Sequence, residues 1–140
     1  MNELRFALLI FILLSFTDGA SAQNMVVVVK GVKNDKGVVR VGIYKAEAEF
    51  MKVIWKSAVV QASKGDLNVE LENVPAGVYA ISVVHDTNNN GKMDLNAMGI
   101  PQEGFGFSND ARGLFGPPTW SDSKWEWGGT KNPEIILFYY

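Results

Sequence analysis

Apolar and polar positions along this chain fall into short runs separated by turn residues, a pattern that predicts strands rather than helices. Met25 to Val32 is apolar and β-branched, and Lys33-Asn34-Asp35-Lys36-Gly37 reads as a polar hairpin loop with Gly at its end. Val38 to Lys45 follows, with Val39, Val41 and Ile43 on one face and Arg40 and Gly42 on the other, as in a strand buried on one side. Glu47 to Lys52 predicts a helical turn carrying Phe50 and Met51. Ile54 to Gln61 predicts a third strand, and Asn68 to Leu71 a fourth after the turn Lys64-Gly65-Asp66. Pro75-Ala76-Gly77 turns the chain into Val78 to His85, where Tyr79, Ile81, Val83 and His85 share one face and Val78, Ala80, Ser82 and Val84 the other. Both faces are mostly apolar, so this strand belongs at the centre of a sheet. Glu134 to Tyr140, β-branched and aromatic after Asn132-Pro133, is the expected last strand. Many short strands of this kind predict an all-β fold, a single antiparallel β-sandwich.

The stretch between His85 and Pro133 differs in character. It is rich in Gly, Asn and Pro and carries Phe105, Phe107, Phe115, Trp120, Trp125 and Trp127. Loops of this length in a compact domain are uncommon and are usually functional or disordered. Rings bury large areas and order whatever they pack against, so this is expected to be an ordered aromatic excursion over one end or face of the sandwich.

The N-terminus changes the picture of where the protein works. A short polar start, the apolar run Phe6 to Phe16 and the exit Ala20-Ser21-Ala22-Gln23 have the form of a secretory signal peptide. Residues 1–22 are expected to be cleaved off, with residues 23–140 forming a single domain. The apolar run is too short for a span, which takes about 20 apolar residues, so no membrane span is expected after cleavage. The chain has no cysteine, which excludes a lipoprotein anchor, thiol catalysis and thiolate metal sites. Without Glu3, Arg5 and Asp18 the remaining chain has 12 basic and 13 acidic residues, against 13 and 15 in the whole. With no basic stripe, nucleic acid and anionic membranes are poor partners. Export places the protein in the periplasm or, as the alternative, in the extracellular medium.

The central strand runs directly into His85-Asp86-Thr87-Asn88-Asn89-Asn90-Gly91-Lys92-Met93-Asp94. Asp86, Asn88 and Asn90 at alternate positions, then Gly91 and Asp94, have the spacing of positions 1, 3, 5, 6 and 9 of a Ca²⁺ loop. Ca²⁺ takes about six to eight hard oxygens, and short side chains on a curling backbone can converge on one ion. The Lys92 carbonyl would supply position 7, and Glu103 could fold back as a further ligand. Position 12 is Ala97 where an EF-hand has Glu, and no helices flank the loop, so this is no EF-hand. With so few formal charges, a structural Ca²⁺ site here would be weak, with Kd about 10⁻⁴–10⁻³ M. The alternative is a metal-free turn in which Asn and Asp cap their own backbone and Asn-Gly supplies positive φ.

Catalysis finds little support. His85 is the only histidine, it shares a face with Ile81 and Val83, and no Ser stands in a Gly-x-Ser-x-Gly elbow. Asp94 with Glu103, or Asp110 with Asp122, could be drafted as a carboxylate pair, but nothing selects them. A small hydrolase with His85 as base is the weakest reading. The aromatic segment offers another, a surface for carbohydrate or a protein partner built from Phe105, Phe107, Trp120, Trp125 and Trp127.

Three motifs together resemble an uncharacterised family of exported bacterial proteins. They are Pro75-x-Gly77-x-Tyr79-Ala80, His85-Asp86-x-Asn88-x-Asn90-Gly91-Lys92-x-Asp94, and Gly99-Ile100-Pro101-x-Glu103-Gly104-x-Gly106-Phe107-Ser108, continued by Phe115-Gly116-Pro117-Pro118. Trp120 departs from the pattern, which has Phe after the Pro pair. The resemblance implies an exported, periplasmic domain and no particular reaction or ligand. The Pro75 to Tyr79 turn is also similar, more loosely, to that of transthyretin-like and carboxypeptidase-regulatory-like sandwiches, which bears on fold alone. The leading expectation is a non-enzymatic exported β-sandwich with a structural Ca²⁺ loop and an aromatic interaction surface. A metal-free binding module is the runner-up.

Overall fold

A computed structural model describes residues 21–140, so Met1 to Ala20, which hold most of the expected signal peptide, lie outside the described residues. The described chain is mostly β, in two sheets packed face to face. One sheet has three strands: β1 (Gln23–Val32) lies between β4 (Gly65–Val74) and β8 (Glu134–Ile136). In the other, β2 (Val38–Tyr44) lies between β3 (Lys56–Gln61) and β5 (Gly77–Asp86). The far edge of β5 takes two short strands end to end. β6 (Gly104–Phe107) pairs with Ser82 to His85, and β7 (Lys124–Trp127) pairs with Gly77 to Ala80. Among the described residues no helix is long and apolar enough to cross a membrane.

The core follows from period-2 patterning. Met25, Val27 and Val29 of β1 meet Val39, Val41 and Ile43 of β2 and Ile81 and Val83 of β5, all at 1% exposure or less. Fully burying a side chain of this size is worth about 1.5–3 kcal/mol, and the row is long enough to fix the register, since a one-residue slip would turn it outward. Strand β4 is longer than the predicted Asn68 to Leu71 because its partner β1 continues at both ends, pairing Gln23 with Val74 and Val32 with Gly65. The expected helical turn is a single 3₁₀ turn at Glu47–Glu49.

Two expectations need correction. The last strand covers only Glu134–Ile136, and it runs parallel to β1, so the fold is not wholly antiparallel. The backbone accounts for this direction: Val28 donates to the Pro133 carbonyl and Leu137 to that of Lys30, which leads the chain along β1. Beyond Leu137 it leaves this sheet and bridges to β6 through the reciprocal bonds of Phe105 and Phe138, 3.0 and 2.8 Å. The aromatic excursion supplies β6 and β7, which the sequence pattern did not reveal.

The crossing of the C-terminal segment over β6 explains two glycines. A Cβ at Gly104 would collide with the Tyr139 ring, and one at Gly106 would lie 2.6 Å from the Ile136 carbonyl oxygen. Here the absence of a side chain permits close approach of backbone and ring.

His85 ends the inward row of β5 and is fully buried. Its Nε2 lies 2.8 Å from the Lys36 carbonyl, an acceptor, so this nitrogen carries the proton. Nδ1 then accepts from the Tyr139 hydroxyl at 2.8 Å, whose oxygen accepts from the Lys33 N–H at 3.0 Å. Burial pushes the Tyr139 hydroxyl pKa up, against the opposing effect of that N–H. The histidine thus ties the β1–β2 hairpin, β5 and the chain end together.

Candidate functional site

The outward faces of β2, β5 and β6 are almost as apolar as the inward ones. Residues paired across a sheet share a face, so Gly42 lies beside Ser82, Phe107 beside Ser82, and Phe105 beside Val84. One end of this face is covered: Tyr44, Ala80 and Phe107 are buried beneath Phe50, with Trp120 packed edge-on against Phe50 at 5.9 Å. The rest is open and forms the floor of a groove of about 910 Å³. Its walls are the loop after β5, contributing Met93, Met98 and Ile100, and the segment Leu114 to Pro117. Met51 and Ile54 close it beside β3.

The loop wall is held by charge at its root. Asp86 faces outward at the last position of β5, yet it is fully buried. Its Oδ2 accepts from Arg40 Nε at 2.7 Å and from the Gly91 N–H at 2.8 Å, and its Oδ1 accepts from the Asn90 N–H at 3.1 Å. Arg40 continues to the Asn89 side-chain oxygen at 2.7 Å. Burial raises the Asp86 pKa, but the bond from Arg40, the two N–H donors and the guanidinium charge outweigh it, and the net shift is downward. Glu103, also buried, folds back on the loop from the start of β6. It accepts from the N–H of Thr87 at 2.9 Å and from that of Asp94 at 3.2 Å. Gly91 adopts the positive φ of 75° that the tight turn needs, as does Asn89 at 53°.

The expected metal-ligand set divides in two. On the buried side Asp86 and Glu103 are engaged by Arg40 and by backbone donors. On the exposed side Asn88 and Asn90 each turn their amide onto Asp94, at 2.6 and 2.9 Å. Their own side-chain oxygens accept from the N–H groups of Asn90 and Lys92. Among the described residues no three of His, Cys, Asp and Glu come together as a metal-holding group.

The five aromatic candidates are not one surface. Trp127 is a core residue, 3% exposed, with its Nε1–H bonded to the Val74 carbonyl at 3.0 Å. Phe107 is buried beside Phe50, and Trp120 and Trp125 are half-buried. Phe105 is half-buried and lines the groove. The pattern fails because Phe105 and Phe107 of β6 pair with Val84 and Ser82 on the outward row of β5, whereas Trp125 and Trp127 of β7 pair with Tyr79 and Gly77 on the inward side. Nor can His85 reach a substrate, since its ring is buried and both nitrogens are engaged.

Arg40 and the groove floor, Gly42, Ser82 and Val84, were not singled out by the sequence. The signal was present: an outward row on β5 that is Val, Ala, Ser and Val is uncommonly apolar for a solvated face.

Fold and site together define an all-β protein of two packed sheets with an apolar groove on the outer face of the larger one. The chain belongs to the family described as an uncharacterized protein conserved in bacteria (DUF2141), which matches it over residues 27–135. No curated protein and no solved structure matches it.

The root of the loop gives a first prediction. The Asp86 pKa lies below its ordinary 3.8 in the folded protein, so its stabilising effect is complete above that value and is lost as pH falls through the lower folded pKa. Asp86→Asn should cost about 2–3 kcal/mol in urea unfolding at pH 6, and the gap to the unsubstituted protein should close below pH 3.8. A gap constant from pH 6 to pH 2 would contradict this.

Proposed function

We propose that this chain is an exported, non-catalytic binding protein that takes an apolar ligand into the groove on its larger sheet. One observation carries the reading. Of the eleven large apolar side chains exposed among the described residues, eight line this single groove, Leu114 and Phe115 being the most exposed of all. Soluble proteins rarely leave so much apolar surface together without a use for it. The volume also falls in the range of about 300–1,000 Å³ typical of small-molecule sites. Export is supported by the apolar run Phe6 to Phe16 and the Ala20-Ser21-Ala22 exit. The non-catalytic part is supported by the sealing of His85 within the core. A carbohydrate platform has less support, because Trp127 is buried and Trp120 and Trp125 are each half-covered.

The whole chain expressed in a bacterial host should yield a periplasmic product whose mass places its N-terminus at Gln23. That product should bind the neutral fluorophore N-phenyl-1-naphthylamine saturably, with a blue-shifted emission. Phe115→Asp, at a fully exposed position, should weaken binding about tenfold or more without lowering the melting temperature. Dye that does not bind, or binds the variant equally well, would sink the groove reading.

A second reading, Ca²⁺ on the exposed side of the loop, is favoured by the closing of both Asn88 and Asn90 on the Asp94 carboxylate. Turning those amides would offer oxygens beside Asp94. Arg40 already compensates Asp86, and Glu103 is engaged by backbone donors. Asp94 is then the main free charge, and affinity belongs at or beyond the weak end of about 10⁻³ M. Melting in EDTA and then in 10 mM-scale Ca²⁺, a range of roughly ten times that Kd, should raise the midpoint by a few degrees. Mg²⁺ should do less, and Asp94→Ala should abolish the effect. Superimposable curves would remove the metal from the account.

A further inference from the structure

The groove is not uniform along its length, and its charged end narrows the chemistry of what it holds. Its lining includes three charged residues, Arg40, Lys92 and Asp86, all gathered where the loop leaves β5. They cluster because Gly91, next to Lys92, and Arg40 both donate to the same oxygen of Asp86. Asp86 is buried and paired, and so presents no free carboxylate. Lys92 is exposed and makes no ion pair among the described residues. Arg40 uses Nε on Asp86 and Nη2 on Asn89, and its side chain is 34% exposed. A guanidinium has five N–H donors, so some remain for a ligand. The accessible charge at this end is therefore positive.

Away from that end the lining is apolar, with Val59 and Val84 along the strands and Met51, Ile54, Met93 and Met98 around them. Methionine is unbranched and polarizable, so a Met-lined wall adapts to flexible chains better than to one rigid shape. Loop residues border the strands of the floor, so the face is a recessed groove for a small molecule rather than a flat patch for a protein.

We infer that the occupant is a single-chain amphiphile with an anionic head group, of the fatty-acid class, its head at Lys92 and Arg40 and its chain along the floor beside Val84. The inference rests on the groove reading above and adds to it the chemistry of the ligand. Charge complementarity sets the orientation: an anionic head meets two cations, whereas a cationic head would meet the same two and be repelled.

The test uses protein from expression of the whole chain and calorimetric titration with three ten-carbon probes below their micelle concentrations: decanoate, decan-1-ol and decyltrimethylammonium. Decanoate should bind at least tenfold more tightly than decyltrimethylammonium, with decan-1-ol between. Lys92→Glu should abolish or invert that order. Lys64→Glu, which changes net charge equally at a residue outside the groove, should keep it. Phe115→Asp should weaken all three. Equal affinity for the three probes, or an order unmoved by Lys92→Glu, would overturn the inference even where N-phenyl-1-naphthylamine still binds, and would leave the groove reading standing. If no probe binds and the dye is silent as well, both fall, and an apolar segment of a partner protein becomes the better occupant.

Discussion

A strand that is apolar on both faces must be covered on both, and β5 sets that requirement for this molecule. Its inward row, Tyr79, Ile81, Val83 and His85, packs against the smaller sheet in the ordinary way. Its outward row, Val78, Ala80, Ser82 and Val84, has no second sheet to meet. The stretch after β5 serves it instead. That segment lends two short strands to the free edge of β5 and folds Trp120 toward the outer face. It leaves the middle of the face open between two loops. The groove is thus a consequence of incomplete cover over a strand built for burial.

Where β5 ends, the same alternation carries Asp86 to the outer side, and a buried carboxylate there needs strong partners. An isolated buried charge would cost far more than a surface ion pair returns. Arg40 from the neighbouring strand and the N–H groups of Asn90 and Gly91 supply those partners. They also fix the direction in which the chain leaves the sheet. Glu103 repeats the device at the other end of the loop, binding the N–H groups of Thr87 and Asp94. Two buried carboxylates therefore hold one groove wall at both of its roots. Glycines at 104 and 106 let the C-terminal segment cross β6 and place Tyr139 on His85. Wall, floor and chain end are parts of one hydrogen-bonded arrangement.

Much of this was readable from residue order, and the failures have physical causes. The strands of the first half were legible because their inward residues recur at every second position, as Val39, Val41 and Ile43 do between Arg40 and Gly42. Strands β6 and β7 were not, since each is four residues long and Gly104-Phe105-Gly106-Phe107 reads as a turn until the crossing backbone is known. The parallel course of β8 depends on pairing far along the chain, which no local pattern encodes. In the loop, the spacing of Asp86, Asn88, Asn90 and Asp94 was plain, and Glu103 does fold back upon it. What spacing could not disclose was Arg40, forty-six residues before Asp86 and joined to it only through the β2–β5 register. The apolar outer row of β5 was visible too, but a strand buried on both sides and a strand flooring a groove have the same sequence.

The central claim is that the outer face of the larger sheet is a ligand site. Backbone amide shifts of the isotope-labelled protein, followed by NMR during titration with N-phenyl-1-naphthylamine, test it most directly. The account predicts saturable shifts confined to Gly42, Ser82, Val84 and Phe105 on the floor and to the Met93 to Ile100 and Leu114 to Gly116 walls. Shifts centred on β1, β4 and β8, or none at saturating dye, would contradict it.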